Sequence, residues 1–140
     1  MLRTVKQSQL KVVAARLEDL LRAPSKSFED LKPSMVPERP GVYVITALLN
    51  GLEHAYYVGR TKNLRNRLYR HHLMGQPASA RLKKHLIASG ECASLAEAKQ
   101  FIRDFCSARW IEHEGFRERG AIEGYATALL FPKYGIYEEH

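Results

Sequence analysis

Cysteine is nearly absent from this sequence. Cys92 and Cys106 are the only two in 140 residues. Neither belongs to a Cys-x-x-Cys pair and no histidine cluster at zinc spacing accompanies them, which argues against a zinc or redox centre and for two reduced, partly buried thiols. Long apolar runs are missing as well. Nothing approaches the roughly 18 apolar residues of a membrane span, so no membrane association is expected. The opening Met1-Leu2-Arg3-Thr4-Val5-Lys6 lacks the continuous apolar stretch of a secretory signal, which predicts a cytoplasmic protein. Internal repeats and low-complexity tracts are absent. Negative charge is missing from one long window: between His54 and Gly90 there is no Asp or Glu.

What is present fits an ordinary folded chain. With 45% hydrophobic and 26% charged residues, 140 residues can bury a core without disulfides or a structural metal. The formal net charge is +7. The window without acids holds Arg60, Lys62, Arg65, Arg67, Arg70, Arg81, Lys83 and Lys84. Those cations alone exceed the net charge, so the rest of the chain is slightly acidic. A basic stripe confined to one stretch is the footprint of a polyanion partner. The alternative, a solvated helical face, would ordinarily mix both signs.

Hydrophobic spacing predicts a helix from Thr4 to Arg22, with Leu10, Val13, Ala14, Leu17, Leu20 and Leu21 on one face. Pro24 and Ser25 end it, and Ser27 to Leu31 forms a short turn. Pro33, Pro37 and Pro40 make the next stretch a stiff, extended connection. Residues 1–39 therefore read as a helical extension plus connection, and residues 40–140 as the main domain. Gly41 to Leu49 is a strand, Asn50-Gly51 a type I′ turn, and Glu53 to Val58 the returning strand. Thr61 or Asn63 caps a helix running to about His72, with Leu64, Leu68 and either His71 or His72 on its apolar side. Gly75-Gln76-Pro77 breaks the chain. Ser79 to Ala88 is a further helix, and Ser94-x-x-Glu97 is a capping box opening another. Phe105 to Ile111 either extends that helix or forms a third strand; Trp110 and Ile111 favour the strand. Ala121 to Leu130 is the last helix. The fold class is α+β: a small three-stranded antiparallel sheet flanked by helices, with an N-terminal helical extension.

Four features line up along the chain: Gly41-Val42-Tyr43 opens the first strand and Tyr57-Val58-Gly59 closes the second. Asn63-Leu64-Arg65-Asn66-Arg67 starts the following helix, with His71 one turn on, and Glu123 precedes Phe131-Pro132-Lys133-Tyr134. In these features, over roughly Pro40 to Tyr137, the sequence resembles the GIY-YIG nuclease family. Tyr57 to Arg67 looks like the nuclease module of the bacterial excision-repair incision subunit. A hairpin brings the two tyrosines together, and residues 67 and 71 share a helical face that can lean over them.

The resemblance implies a divalent-metal-dependent endonuclease acting on DNA. Tyr43 would be the base or relay that activates water, and Tyr57 would order the water or the phosphate. Arg67 would neutralise the phosphate, and His71 would assist proton transfer, with His72 competing for that place. Glu123 would be the only protein ligand of Mg²⁺ or Mn²⁺, and Arg60 would face the substrate. Lys62, Asn63, Arg65, Arg70, Arg81, Lys83 and Lys84 are the further candidate substrate contacts from the basic window. After Pro-Lys-Tyr the family commonly carries Asn. This chain has Gly135, so another residue or a water would have to fill that place. His54, His85, His113 and His140 show no ligand spacing and read as structural. Two other readings stay open: a non-catalytic nucleic-acid-binding module that keeps the fold, and a protein-interaction domain using the N-terminal helix. One active site cuts one strand, so double-strand cleavage would need a homodimer or two successive nicks.

Overall fold

The strongest local signal, Asn50-Gly51, forms the turn expected of it. In the computed structural model, which describes residues 7–74 and 81–135, both turn residues take positive φ, 53° and 76°. They join β2 (Gly41–Leu49) to β3 (Leu52–Thr61) with Leu49 opposite Leu52. This is the type I′ geometry that follows the twist of the flanking strands.

Among the described residues the sheet has four strands, not three: β1 (Lys26–Ser27), β4 (Cys106–Glu112), β2 and β3, in that order across the sheet. β4 is the strand favoured by Trp110 and Ile111, and it pairs antiparallel with β2. The additional strand is β1, paired with Ala108 and Ser107 of β4. Two residues are too few to show alternation, so the segment expected to form only a short turn carries no strand signal of its own; the open edge of β4 recruits it.

The helices are α1 (Gln7–Arg22), a π-helix (Asn66–Met74), α2 (Arg81–Ala88), α3 (Leu95–Phe105) and α4 (Phe116–Leu130). The Asn63 side chain accepts the Asn66 N–H at 3.0 Å and so caps the helix that follows it. Ser94 accepts from the Glu97 N–H, while the Glu97 carboxylate takes the Ala93 N–H. The last helix starts five residues before the expected Ala121. Gly120 weakens its helical propensity, and packing supplies the rest: Arg119 is buried and bonded to the carbonyls of His113 and Glu114. The proline-rich connection contains one 3₁₀ turn, Pro33–Met35. The expected break at Gly75-Gln76-Pro77, and the beginnings of the helices expected from Thr4 and from Ser79, lie outside the described residues.

The sheet is covered on both faces. Tyr43, Ile45, Ala47, Tyr57 and Ala108 pack against Leu64, Leu68, Leu82, Leu86 and Ile102 from the π-helix side, α2 and α3. Val42, Val44, Val58 and Ile111 pack against Leu17 and Leu20 of α1 and Ile122 and Ala126 of α4. Both cysteines are buried and unpaired, and burial pushes the Cys106 thiol up to about 12. Among the described residues no helix is long and apolar enough to cross a membrane.

Candidate active site

Tyr43 and Tyr57 lie on the same face of the hairpin, their ring centroids 6.3 Å apart. Two details of β3 place them there. Its register shifts at Ile45/Thr46, so that Ile45 faces Tyr57, Thr46 faces Ala55, and Tyr56 is left over. Such a bulge lets two consecutive residues, Tyr56 and Tyr57, enter the same core where plain alternation would send one to the opposite face. Gly59 then provides room: a Cβ at that position would fall 2.4 Å from Cζ and Oη of Tyr43. The phenol of the first tripeptide lies over the glycine of the second.

The π-helix closes over these rings. Its i→i+5 winding brings the fourth and the fifth residue after Arg67 back toward the face that Arg67 occupies. His71 looks into a pocket of about 370 Å³ together with Arg60, Lys62, Asn63 and Arg67. His72 is fully buried and contacts the tyrosines, its Nε2 2.9 Å from Tyr43 Oη and its ring 5.5 Å from each tyrosine ring. The two histidines left open by the sequence therefore have separate places, one on the pocket and one under the rings.

Glu123 approaches from the other side. It stands on α4 against the outer edge of β3, where its carboxylate accepts the backbone N–H of Arg60. Burial raises its carboxyl above the ordinary range, opposed by the charges of Arg60 and Arg81. Burial and Tyr57 push the Tyr43 phenol well up, and Arg67 pulls against them. Burial raises Tyr57 too, opposed chiefly by Arg81. Tyr43 and Tyr57 each feel Arg67, Arg81 and Glu123, which places all five groups in one electrostatic neighbourhood.

The basic stripe divides on folding. Arg60, Lys62, Arg70, Arg81 and Lys84 are exposed. Arg65 is turned to the proline-rich connection, its Nε on the Val36 carbonyl and its Nη1 3.4 Å from Glu38. Lys83 is buried, with Nζ donating to the His71 carbonyl, and burial beside Lys99 and Arg103 draws it down to about 8. Both were expected from the basic window to contact substrate; here their side chains are turned to these protein groups. Sequence reasoning also left His85 aside, yet its ring lies 6.2 Å from Tyr57 and stacks on Tyr134. At the departure after Pro-Lys-Tyr, Gly135 takes φ +83°, and a Cβ there would meet the Tyr57 ring at 2.9 Å.

Residues 39–113, more than half of the chain, match the sequence model described as the GIY-YIG catalytic domain. The chain belongs to the GIY-YIG family. Both GIY-YIG tripeptides and the arginine helix lie inside the matched stretch; Glu123 and Gly135 lie beyond it. Among solved structures, the chain is similar to the GIY-YIG N-terminal endonuclease domain of UvrC from Thermotoga maritima. For the magnesium-bound form the identity is 20%, over 94% of this chain and 100% of that one, with a TM-score of 0.40. For a point mutant bound to its catalytic divalent cation it is 20%, over 95% and 100%, with a TM-score of 0.41. No curated protein sequence matches the chain.

The buried histidine of this GIY-YIG site has a consequence for stability. Burial, with Arg67 and Lys83 nearby, lowers His72 to about 3, whereas an unfolded histidine titrates near 6.5. Below about pH 6.5 the unfolded chain takes up a proton that the native state refuses, so stability falls with pH until the native value is reached. This one group is expected to cost about 2 kcal/mol by pH 5. Thermal unfolding of the wild type and His72→Gln between pH 7 and 5 checks it. The variant's melting temperature should fall less steeply, with His71 and His85, also lowered, contributing equally to both proteins. Parallel profiles would contradict the assignment.

Proposed function

We propose that the chain is a divalent-metal-dependent endonuclease that hydrolyses a phosphodiester bond of DNA. The observation that carries this reading is the convergence of Tyr43, Tyr57, Arg67, Arg81 and Glu123 in one electrostatic neighbourhood, beside a pocket that has no acidic lining residue among the described residues.

The donor set suits one hard cation. Glu123 is a carboxylate whose charge is poorly solvated, and a cation beside it relieves that penalty. No cluster of three or more metal-ligating side chains exists among the described residues. The remaining ligands of Mg²⁺ or Mn²⁺ would be phosphate oxygens and water, as suits an ion that keeps much of its hydration. Bound on Glu123, the cation would supply positive charge to the attacked phosphate and the incoming water.

The side chains divide the remaining work. Arg67 presents a guanidinium whose buried Nε has no partner among the described residues, and it neutralises charge on the phosphate as it develops. Tyr57, beside Arg81, orders the water and the phosphate. Tyr43 takes a proton from the attacking water. For that, its own proton has to leave first; Arg67 and the cation on Glu123 would favour the phenolate, and neutral His72, in contact through Nε2, holds the phenol in place. His71, whose pKa burial and Arg67 lower, stands on the pocket side, where its neutral imidazole would assist proton transfer as an acceptor. Arg60 and Lys62 hold the flanking backbone, contacts that position DNA without reading bases.

The test is incubation of labelled single-stranded, duplex and branched DNA with Mg²⁺ or Mn²⁺, with and without EDTA. Discrete products that disappear with EDTA are expected. Salt-sensitive binding of all three forms without cleavage would instead favour a non-catalytic binding module.

A further inference from the structure

Phe116 is out of place for a packing residue. It opens α4 with 67% of its surface exposed, and it stands on the wall of the pocket shared by Arg67 and His71. One face of its ring is backed by the Arg119 guanidinium, 5.9 Å from the centroid. That guanidinium cannot swing away, because it is buried and bonded to two backbone carbonyls. The ring is therefore backed on one side, with its remaining surface open. The same pocket is lined by Arg60, Lys62, Asn63, Asn66, Arg67 and His71, a basic and polar wall that suits an anionic, polar ligand. The pocket, at about 370 Å³, lies within the range of small-ligand sites.

An aromatic platform, a polar wall, several cations and, among the described residues, no carboxylate describe a place for one nucleotide. We propose that Phe116 stacks an unpaired nucleobase of the DNA beside the phosphate held by Arg67, so that the site selects single-stranded or locally unpaired DNA. A base inside a duplex is already stacked on both faces and has to leave the helix to reach the ring, whereas a single strand offers it freely. Stacking is tolerant of base identity, so the preference is for unpaired form and not for sequence. This inference takes the nuclease reading of the site as its starting point.

Binding separates the two. Glu123→Gln protein in EDTA, which removes cleavage from the readout, is titrated with a fluorescent mixed-sequence single strand and with the matching duplex. Adding Phe116→Ala is expected to weaken single-strand binding about tenfold and duplex binding less than twofold. Phe116→Tyr, which keeps the platform, should restore it. Because the side chain is mostly exposed, neither change is expected to disturb folding, and a melting curve checks this. Single strands abasic at one position in turn supply a second readout. One position should reproduce the loss in the Phe116 background and cause no further loss in Phe116→Ala. Equal weakening on single strand and duplex, or single-strand binding indifferent to Phe116, would overturn the stacking proposal and leave the nuclease reading intact. No affinity for any DNA would overturn both.

Discussion

Replacing Arg67 by Ala is expected to lower kcat/KM for DNA cleavage about 10²–10³-fold, the usual cost of removing a preorganised charge from a developing oxyanion. Arg67 is half-buried, it opposes the raised pKa of both tyrosines, and it lines the pocket. Its Nε makes no bond to any described residue, so truncation breaks no hydrogen bond at that atom. The melting temperature of Arg67→Ala should therefore stay near the wild-type value or rise, since the guanidinium also burdens His72. Arg67→Lys should recover little activity, because a compact ammonium cannot present two parallel donors to phosphate oxygens. Single-turnover cleavage measures the effect. A loss below tenfold, or full activity in the lysine variant, would remove Arg67 from the reaction.

Gly59→Ala adds one methyl group and no charge, yet it should be nearly as damaging. The new Cβ would occupy the space of Tyr43 Cζ and Oη. Either the strand shifts or the phenol swings off its bond to His72. Overpacking of this kind costs about 1–3 kcal/mol, and a displaced catalytic group costs on the order of 10²-fold in rate. Stability alone does not separate the clash from the ordinary effect of a glycine change in a strand. The double change with Tyr43→Ala does: without the ring, Gly59→Ala should cost little stability. An undiminished cost in that background would mean the ring and the glycine are not opposed as described.

Both predictions rest on positions legible before folding, and that legibility has physical limits. Asn50-Gly51 announces its hairpin because few residues tolerate positive φ twice in succession. Trp110 and Ile111 suit a pleated, half-buried surface, so β4 was readable against a helical alternative. β1 was not, because Lys26-Ser27 pairs only where β4 leaves an edge open. The bulge at Tyr56 was equally silent, since hydrophobic alternation assumes that every residue keeps its register. Helical spacing placed His71 and Arg67 on one face, but the wider i→i+5 winding that puts His72 beneath the tyrosines leaves no mark in composition. Charge density marked a basic stripe correctly as a stretch of sequence. It could not show that Arg65 turns to Val36 and Glu38, or that Lys83 is buried, because both choices are made by elements far away in the chain. Phe116 was passed over for a similar reason: a single aromatic residue between charged ones has no periodicity to reveal that it faces a pocket.

Glu123 and the paired tyrosines are proposed to form one hydrolytic site for DNA. The most direct measurement is single-turnover cleavage of one labelled strand by the wild type and by Glu123→Ala, side by side across a Mn²⁺ titration, with binding of the same strand recorded in EDTA. The account predicts that both proteins bind, that the wild type cuts in proportion to metal occupancy, and that the variant cuts at least about 10²-fold more slowly at every concentration. Equal cutting by the two proteins, or metal-independent cutting by either, would contradict it.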